Sequence, residues 1–350
     1  STTVFRSSKI NNKENKLPNN KIIINHVQKE ITPYRVSKKS EIFDISVVIP
    51  CRNEQKTIDK CIRQIKDVFK SKKINGQIIV SDSSSDNSKS IIKKHKDVIL
   101  VNHTDVGYGI AILNGIKKAT GKILIIGDAD GTYDFKQIPL LIKKINQGYD
   151  FVLGSRLKGE IKKGAMPWLH RYIGNPILSG LLNLFFSTNI NDAHSGFRAI
   201  KADRFNELNL KTTGMEFASE MIIKAAKLHL KISEVPITYS KRLGESKLNS
   251  FNDGWRHLRF MLLFSPTYIF VIPGLIFMIL GLFIHISHLL KIISFTPQLL
   301  LGSFLIILGY QVINLGLYSR IYATHSGYET HDEFINLISK RISLESGLFI

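Results

Sequence analysis

Short apolar runs, each closed by a polar or acidic turn, recur at residues 45–50, 77–82, 98–101, 122–127 and 150–154. Runs without alternation read as strands buried on both faces, the habit of parallel sheets. Between them the period changes: Ile58, Ile62, Ile65 and Phe69 fall on one face of residues 57–71, which predicts an amphipathic helix capped at Thr57. A Lys-rich helix is expected after the Ser/Asp/Asn turn at 83–88, another from Gly107 to Ala119, and a third over 135–147. Strand and helix alternate through short links, so the expected fold is α/β, a doubly wound and mainly parallel sheet with right-handed crossovers.

The pattern then changes. Trp168, His170, Arg171 and Tyr172 precede an apolar stretch at 176–186 that is too short to span a bilayer. It reads equally as an interfacial segment or as a buried core helix. In residues 251–265, Trp255, Leu258 and Leu262 share one face flanked by Arg256 and Arg259, as in a helix at the headgroup level. Residues 266–290 and 297–321 are each about 25 residues long with almost no charge, enough for a ~30 Å hydrocarbon core. A short link joins them, so 266–321 is expected to be a two-helix transmembrane hairpin.

Charge gives the orientation. Arg256, His257 and Arg259 precede the hairpin, Arg320, Lys340 and Arg341 follow it, and its loop offers only Lys291. The positive-inside rule puts the expected α/β part and both termini in the cytoplasm. Residues 1–44 read as a basic, flexible tail with no signal-type apolar core, and 322–350 as a cytoplasmic C-terminal tail. The hairpin's apolar faces are compatible with a homo-oligomer. Lys and Arg number 48 against 28 Asp and Glu, a net +20, so an anionic partner is expected. Nucleic acid is not the expected partner, because no finger spacing, basic-region heptad or aromatic RNP strand is present. Cys51 and Cys61, the only cysteines, read as reduced core thiols rather than a disulfide or a zinc site.

Chemistry concentrates at three strand ends: Pro50 with Asn53 and Glu54, then Asp82, then Asp128-Ala129-Asp130. Ligands in open α/β sheets collect at the carboxyl ends of strands. With Ala129 between them, Asp128 and Asp130 can turn to the same side of an extended backbone. Two hard carboxylates there suit Mg²⁺ or Mn²⁺ carrying a diphosphate; a solvated loop is the plain alternative. Gly107-x-Gly109 lacks the full dinucleotide fingerprint and reads as a tight turn at a helix start.

Taken together, Val48-Ile49-Pro50 with Asn53-Glu54, Asp82 with Ser84-x-Asp86-Asn87, and Gly127-Asp128-Ala129-Asp130 resemble the inverting family-2 glycosyltransferases of GT-A fold. Gly154-Ser155-Arg156 and Ser195-Gly196-Phe197-Arg198 resemble the dolichyl- or polyprenyl-phosphate hexosyltransferase branch, some members of which carry C-terminal membrane hairpins. The resemblance covers about residues 45–263 and implies a GT-A catalytic domain over 45–250. It implies that Pro50, Asn53, Glu54 and Asp82 surround a nucleoside, and that Asp128, Ala129 and Asp130 meet the donor diphosphate, with Mg²⁺ or Mn²⁺ on the two carboxylates. Arg156, Ser195 and Arg198 would lie near phosphates. Asp128, Asp130, Asp192 and Arg198 are the implied catalytic set, Asp192 on the acceptor side. An ionised phosphate acceptor needs little general base, so positioning and electrostatics are sufficient. Glu216 and Glu220, four apart on one helix face, read equally as a second acidic contact with the sugar or with basic groups and as solvated helix carboxylates. Lys241, Arg242 and Lys247 sit in a basic segment suited to gate the site or grip a lipid phosphate. For Arg156 and Arg198 an internal salt bridge is the alternative role.

Two departures from the family pattern matter. The second-strand turn reads Asp82-Ser83-Ser84-Ser85-Asp86, without two adjacent acids, and Gly131-Thr132-Tyr133-Asp134 follows the acid pair where many mannose synthases have Leu-Gln. The latter weakens a mannose assignment and leaves Asp134 as a substitute ligand or a helix cap. The processive Gln-x-x-Arg-Trp signature is absent. The expected activity is inverting transfer of a hexose from a nucleoside-diphosphate sugar, UDP-glucose first and GDP-mannose second, to polyprenyl or dolichyl phosphate in the bilayer. Another lipid or glycan acceptor, or a non-catalytic membrane scaffold, are the rivals.

Overall fold

The computed structural model describes residues 43–244, 250–265, 267–292 and 297–325. Its first half runs β1 (Phe43–Cys51), α1 (Ile58–Lys72), β2 (Gly76–Asp82), α2 (Ser88–Lys93), β3 (Val98–Asn102), α3 (Tyr108–Ile116), β4 (Gly121–Ile126) and α4 (Ile138–Asn146). There follow β5 (Phe151–Ile161), α5 (Asn175–Phe186), β6 (Arg198–Lys201), α6 (Ala202–Leu208), α7 (Phe217–Lys227) and β7 (Ile232–Tyr239). Beyond these lie α8 (Ser250–Phe264), α9 (Ile272–Leu289) and α10 (Pro297–His325).

The seven strands form one sheet in the order β3-β2-β1-β4-β6-β5-β7. All neighbours are parallel except β6, which runs antiparallel to both β4 and β5. The expected α/β sheet is therefore correct, with β6 as a reversed strand between the two parallel halves. Apolar runs without alternation have their cause here, because successive residues feed opposite cores. Val48, Leu124 and Ile126 join one cluster with residues of α3, α7 and α8. Val47, Ile49 and Ile125 join the other with residues of α1 and α4. Burying a side chain of this size contributes about 1.5–3 kcal/mol.

Local details refine the reading. Helix α1 buries Ile58, Cys61, Ile62, Ile65 and Val68, while Phe69 stays at the margin. Thr57 makes no side-chain cap; its hydroxyl donates to the Glu54 carbonyl at 3.2 Å. Cys51 and Cys61 are buried and unbridged, and burial pushes the Cys61 thiol up to about 12. Gly107 adopts φ +152°, and a Cβ there would lie 2.4 Å from the Thr213 carbonyl oxygen. The Gly107 turn is a packing requirement.

Helix α8 is more than an interfacial ramp. His257, Phe260, Met261 and Phe264 are buried, three of them in the core cluster that also holds Val48 and Leu124, while Trp255, Arg256 and Arg259 are exposed. Helix α5 divides the same way: Ser179 and Leu182 are buried, whereas Trp168, Tyr172, Ile177 and Leu184 are exposed on and before it. Phe185 at its end stacks on Tyr268, ring centroids 6.4 Å apart, tying α5 to the root of the hairpin. Tyr268–Leu289 and Pro297–Tyr322 are long and apolar enough to cross a membrane, and only 11% and 17% of their most apolar windows are buried. They pack closely through small residues: a Cβ on Gly281 would sit 2.5 Å from the Gly302 carbonyl oxygen. Two long helices with apolar sides turned outward fit a membrane protein.

Candidate active site

Parallel register brings the three strand ends together. Cys51 pairs with Asp82 across β1 and β2, and Val48 pairs with Ile126 across β1 and β4. Pro50, Asp82 and Asp128 therefore emerge along one edge of the sheet.

The loops after β1 and β2 are stitched to each other. Asn53, at φ 55°, accepts from the Ser85 amide at 2.8 Å and the Ser85 hydroxyl at 3.2 Å. The Asn53 amide donates to Ser84 Oγ at 2.7 Å and the Glu54 amide to Ser88 Oγ at 3.0 Å. Asn53, expected at the nucleoside, thus has its side-chain oxygen committed to shaping the neighbouring loop. Asp82 is fully buried; Oδ1 accepts from Ser84 Oγ at 2.5 Å, and Oδ2 has no partner.

Asp128 and Asp130 stand just beyond β4. Burial, then the neighbouring charge of Asp130, pushes the Asp128 carboxyl up to about 7. The Tyr108 hydroxyl hydrogen-bonds Asp128, whose Oδ1 is buried with no partner. Opposite, Gly196 presses against the carboxylate: a Cβ there would lie 2.7 Å from Asp128 Oδ2 and 2.9 Å from the Tyr108 oxygen. Asp130 Oδ1 accepts from the Thr132 amide at 3.0 Å and hydroxyl at 2.6 Å, and Oδ2 lies 3.4 Å from Arg242 Nη1. Arg242 also donates to Glu54 Oε1 at 2.6 Å, so one guanidinium bridges the β1 and β4 loops. Asp134 accepts from the Lys136 amide at 3.1 Å; it caps the next turn and does not extend the acid pair.

Among the described residues no group of three or more His, Cys, Asp or Glu side chains forms a metal site. The pair itself fits a hard divalent cation in part: an unpartnered buried Asp128 oxygen beside a second carboxylate is the donor set that Mg²⁺ or Mn²⁺ takes with phosphate oxygens.

Several residues expected at the substrate make internal contacts. Asp192, expected on the acceptor side, is fully buried and takes both prongs of Arg156: Nε at 2.8 Å, Nη2 at 2.7 Å, plus the Arg156 amide at 2.9 Å. Burial disfavours the Arg156 charge, but Asp192 more than offsets it and the pKa is raised. The other side of Arg156 lies over the Tyr239 ring at 5.2 Å. Arg198 donates to three carbonyls, Ser195 at 2.7 Å, Ala218 at 2.8 Å and Ala193 at 2.8 Å. It is 2% exposed and holds the loop before β6 in place, where a phosphate contact was expected. Ser195 is fully buried, its hydroxyl accepting from the Phe197 amide at 3.4 Å.

Glu216 and Glu220 separate. Glu220 is fully buried and accepts from Thr212 Oγ1 at 2.6 Å and Lys224 at 2.8 Å. Glu216, just before α7, remains half-buried. Ala129 is buried beside Cys61, and Lys247 lies outside the described residues. Burial, then the neighbouring His257, holds the His194 imidazole well below its ordinary pKa. Its ring centre is 4.4 Å from that of His257, whose Nδ1 meets Ser219 Oγ at 2.8 Å.

Three aromatic residues escaped the sequence reading. Tyr108 touches Asp128; Tyr133 accepts from the Gly196 amide at 2.7 Å and stacks on Phe197; Tyr239 backs Arg156. Only Tyr133 left a trace, in the unusual turn after the acid pair.

The glycosyl transferase family 2 model matches residues 46–208. The low-salt glycan biosynthesis hexosyltransferase Agl6 of Haloferax volcanii is 38% identical over 312 residues, 87% of this chain and 75% of that protein. A dolichyl-phosphate hexose transferase of the same organism is 29% identical, over 60% of this chain and 89% of that protein. Among solved structures, glucosyl-3-phosphoglycerate synthase from Mycobacterium tuberculosis, crystallised with Mn²⁺ and uridine-diphosphate-glucose, shares the fold. The TM-score is 0.50 at 19% identity, over 64% of this chain and 79% of that one. The strand-end acids, the reversed β6 and this similarity along most of the chain agree: the protein belongs to glycosyl transferase family 2 and is a glycosyltransferase.

Proposed function

We propose that the enzyme transfers a hexose from a nucleoside-diphosphate sugar to polyprenyl or dolichyl phosphate at the cytoplasmic face of a membrane, with inversion. The observation that carries the reading is continuity: α8 is built into the catalytic core and leads to two helices long and apolar enough to span. A soluble acceptor would need no such attachment. UDP-glucose is the first donor to test and GDP-mannose the second.

In this reading Asp82 and Glu54 offer carboxylate acceptors to the nucleoside, and Pro50 shapes the loop beside it. Asp128 and Asp130 would hold Mg²⁺ or Mn²⁺, which neutralises charge on the leaving diphosphate. Arg242, already between Glu54 and Asp130, is placed to meet the same diphosphate as it binds. An oxygen of the acceptor phosphate attacks the anomeric carbon as the bond to the diphosphate breaks on the opposite face, so configuration inverts. That oxygen is already ionised near neutral pH, which makes a base unnecessary, in keeping with an Asp192 fully occupied by Arg156. Arg156, Arg198 and Ser195 act by position, and Lys247 belongs to the basic segment that would approach the lipid phosphate. The clustering of Arg256 and Arg259 before the hairpin and Arg320 after it supports the cytoplasmic orientation.

The test is incubation of membranes containing the protein with labelled UDP- and GDP-sugars and polyprenyl phosphate. Label from one donor should enter an organic-extractable product. Label found only in water-soluble or protein-bound product would reassign the acceptor, and no transfer at all would favour a scaffold.

A further inference from the structure

A cavity of about 640 Å³ opens where the catalytic domain meets the root of the hairpin. Its walls come from the end of α5, the end of α7, the start of β7 and the junction between α8 and α9, with Arg320 of α10 closing one side. None of Asp82, Asp128, Asp130 or Arg156 lines it. The volume is that of a ligand pocket rather than a packing defect.

Its chemistry is two-sided. Phe185, Phe264 and Tyr268 give it an aromatic wall, and Lys227 and Arg320 bring positive charge to the same space. Lys227 lies over the Phe264 ring, 5.1 Å from its centroid, so cation and apolar surface are adjacent. Ser265 adds an independent sign. It is 4% exposed, lines the cavity, and its Oγ has no hydrogen-bond partner. A buried hydroxyl without a partner costs about 1–3 kcal/mol and calls for a ligand or ordered water to complete it. Glu234, the acid on the wall, is already matched by Lys158 Nζ at 2.8 Å and by the Asn191 and Asp192 amides, each at 2.9 Å.

We propose that this cavity binds the phosphate headgroup of an anionic membrane phospholipid, distinct from the acceptor. The inference rests on Tyr268–Leu289 and Pro297–Tyr322 spanning a membrane, because their bases then place the cavity at headgroup depth. Phosphate oxygens would take the Ser265 hydroxyl and the two cations, and the acyl chains would leave along the aromatic wall.

The experiment uses the full chain in detergent micelles and native mass spectrometry, titrating phosphatidylglycerol against phosphatidylcholine. One phosphatidylglycerol should be retained selectively, and Lys227→Gln/Arg320→Gln should weaken retention about tenfold or more. Should that double variant fail to fold, Ser265→Ala carries the test: about threefold weaker retention with no fall in melting temperature. Equal retention of the two lipids, or unchanged retention in a folded variant, would overturn the proposal. So would displacement by inorganic phosphate, which would make the ligand a soluble anion, or one-for-one displacement by polyprenyl phosphate, which would make it the acceptor. Because lipid retention is read without turnover, failure of the acceptor assignment leaves this result intact.

Discussion

Arg156 and Asp192 face each other in a buried two-pronged ion pair, 2.8 Å and 2.7 Å along its two arms. The pairing engages both Asp192 oxygens. A carboxylate whose two oxygens hold a guanidinium is a poor proton acceptor, and removing it strands a buried cation.

Asp192→Ala should therefore destabilise the fold by about 3–5 kcal/mol, measured by denaturant unfolding of the detergent-solubilised protein. The surviving folded fraction should keep the wild-type pH profile of kcat. A lost alkaline or acidic limb would make Asp192 a proton carrier instead.

Asp128→Asn and Asp130→Asn address the cation. In the wild type, UDP or GDP with Mn²⁺ should raise the melting temperature, since a ligand at 100 times its Kd stabilises by about 2.7 kcal/mol. Both variants should melt like the wild type without ligand and lose the cation-dependent increment. Asp130→Asn with undiminished activity would remove the assignment.

Gly196→Ala tests the closeness of the loop before β6 to the acid pair. Its methyl would sit only 2.7 Å from Asp128 Oδ2, so the carboxylate must give way, and a misplacement of about 1 Å in a catalytic group can cost about 100-fold in rate. We expect kcat/KM to fall by that factor while circular dichroism stays unchanged.

Acid should loosen α8. Burial, then the charge of Arg198, lowers His257 to about 4. Between that value and the ordinary one near 6.5 the unfolded chain binds a proton that the folded chain refuses. Stability contributed by the neutral ring is complete above about 6.5 and is lost as pH falls toward 4, at about 1.4 kcal/mol per pH unit. Melting temperatures recorded from pH 7 to pH 4 should fall accordingly, and His257→Gln should flatten the slope.

The parts of this fold that sequence made visible are those governed by local pattern. β1, β2 and β4 bury both faces, so their apolar runs announced them, and the acids that follow were readable as a strand-end cluster. β6 was hidden because it is four residues long with a charge at each end, Arg198 and Lys201. β7 was hidden by Pro236 and Glu234 within it, tolerable there because it is the last strand of the sheet. Roles that depend on a distant partner were equally opaque. Asp192 finds Arg156 from 36 residues away, and Glu54 finds Arg242 from 188. Motif spacing named these residues without telling which ones meet substrate and which hold another side chain still.

Helix α8 has one more consequence. The same turns that place Phe260, Met261 and Phe264 in the catalytic core stand immediately before the hairpin. With the hairpin in a bilayer as proposed, the altitude of the strand-end acids would be fixed by packing, as on a pier, rather than averaged over the swing of a tether. The lipid phosphate proposed as acceptor would then be selected by how high it rides as well as by its chemistry. Inserting a full helical turn between Phe264 and the hairpin would lift the site by about 5.4 Å, beyond the reach of a phosphate that cannot leave the surface.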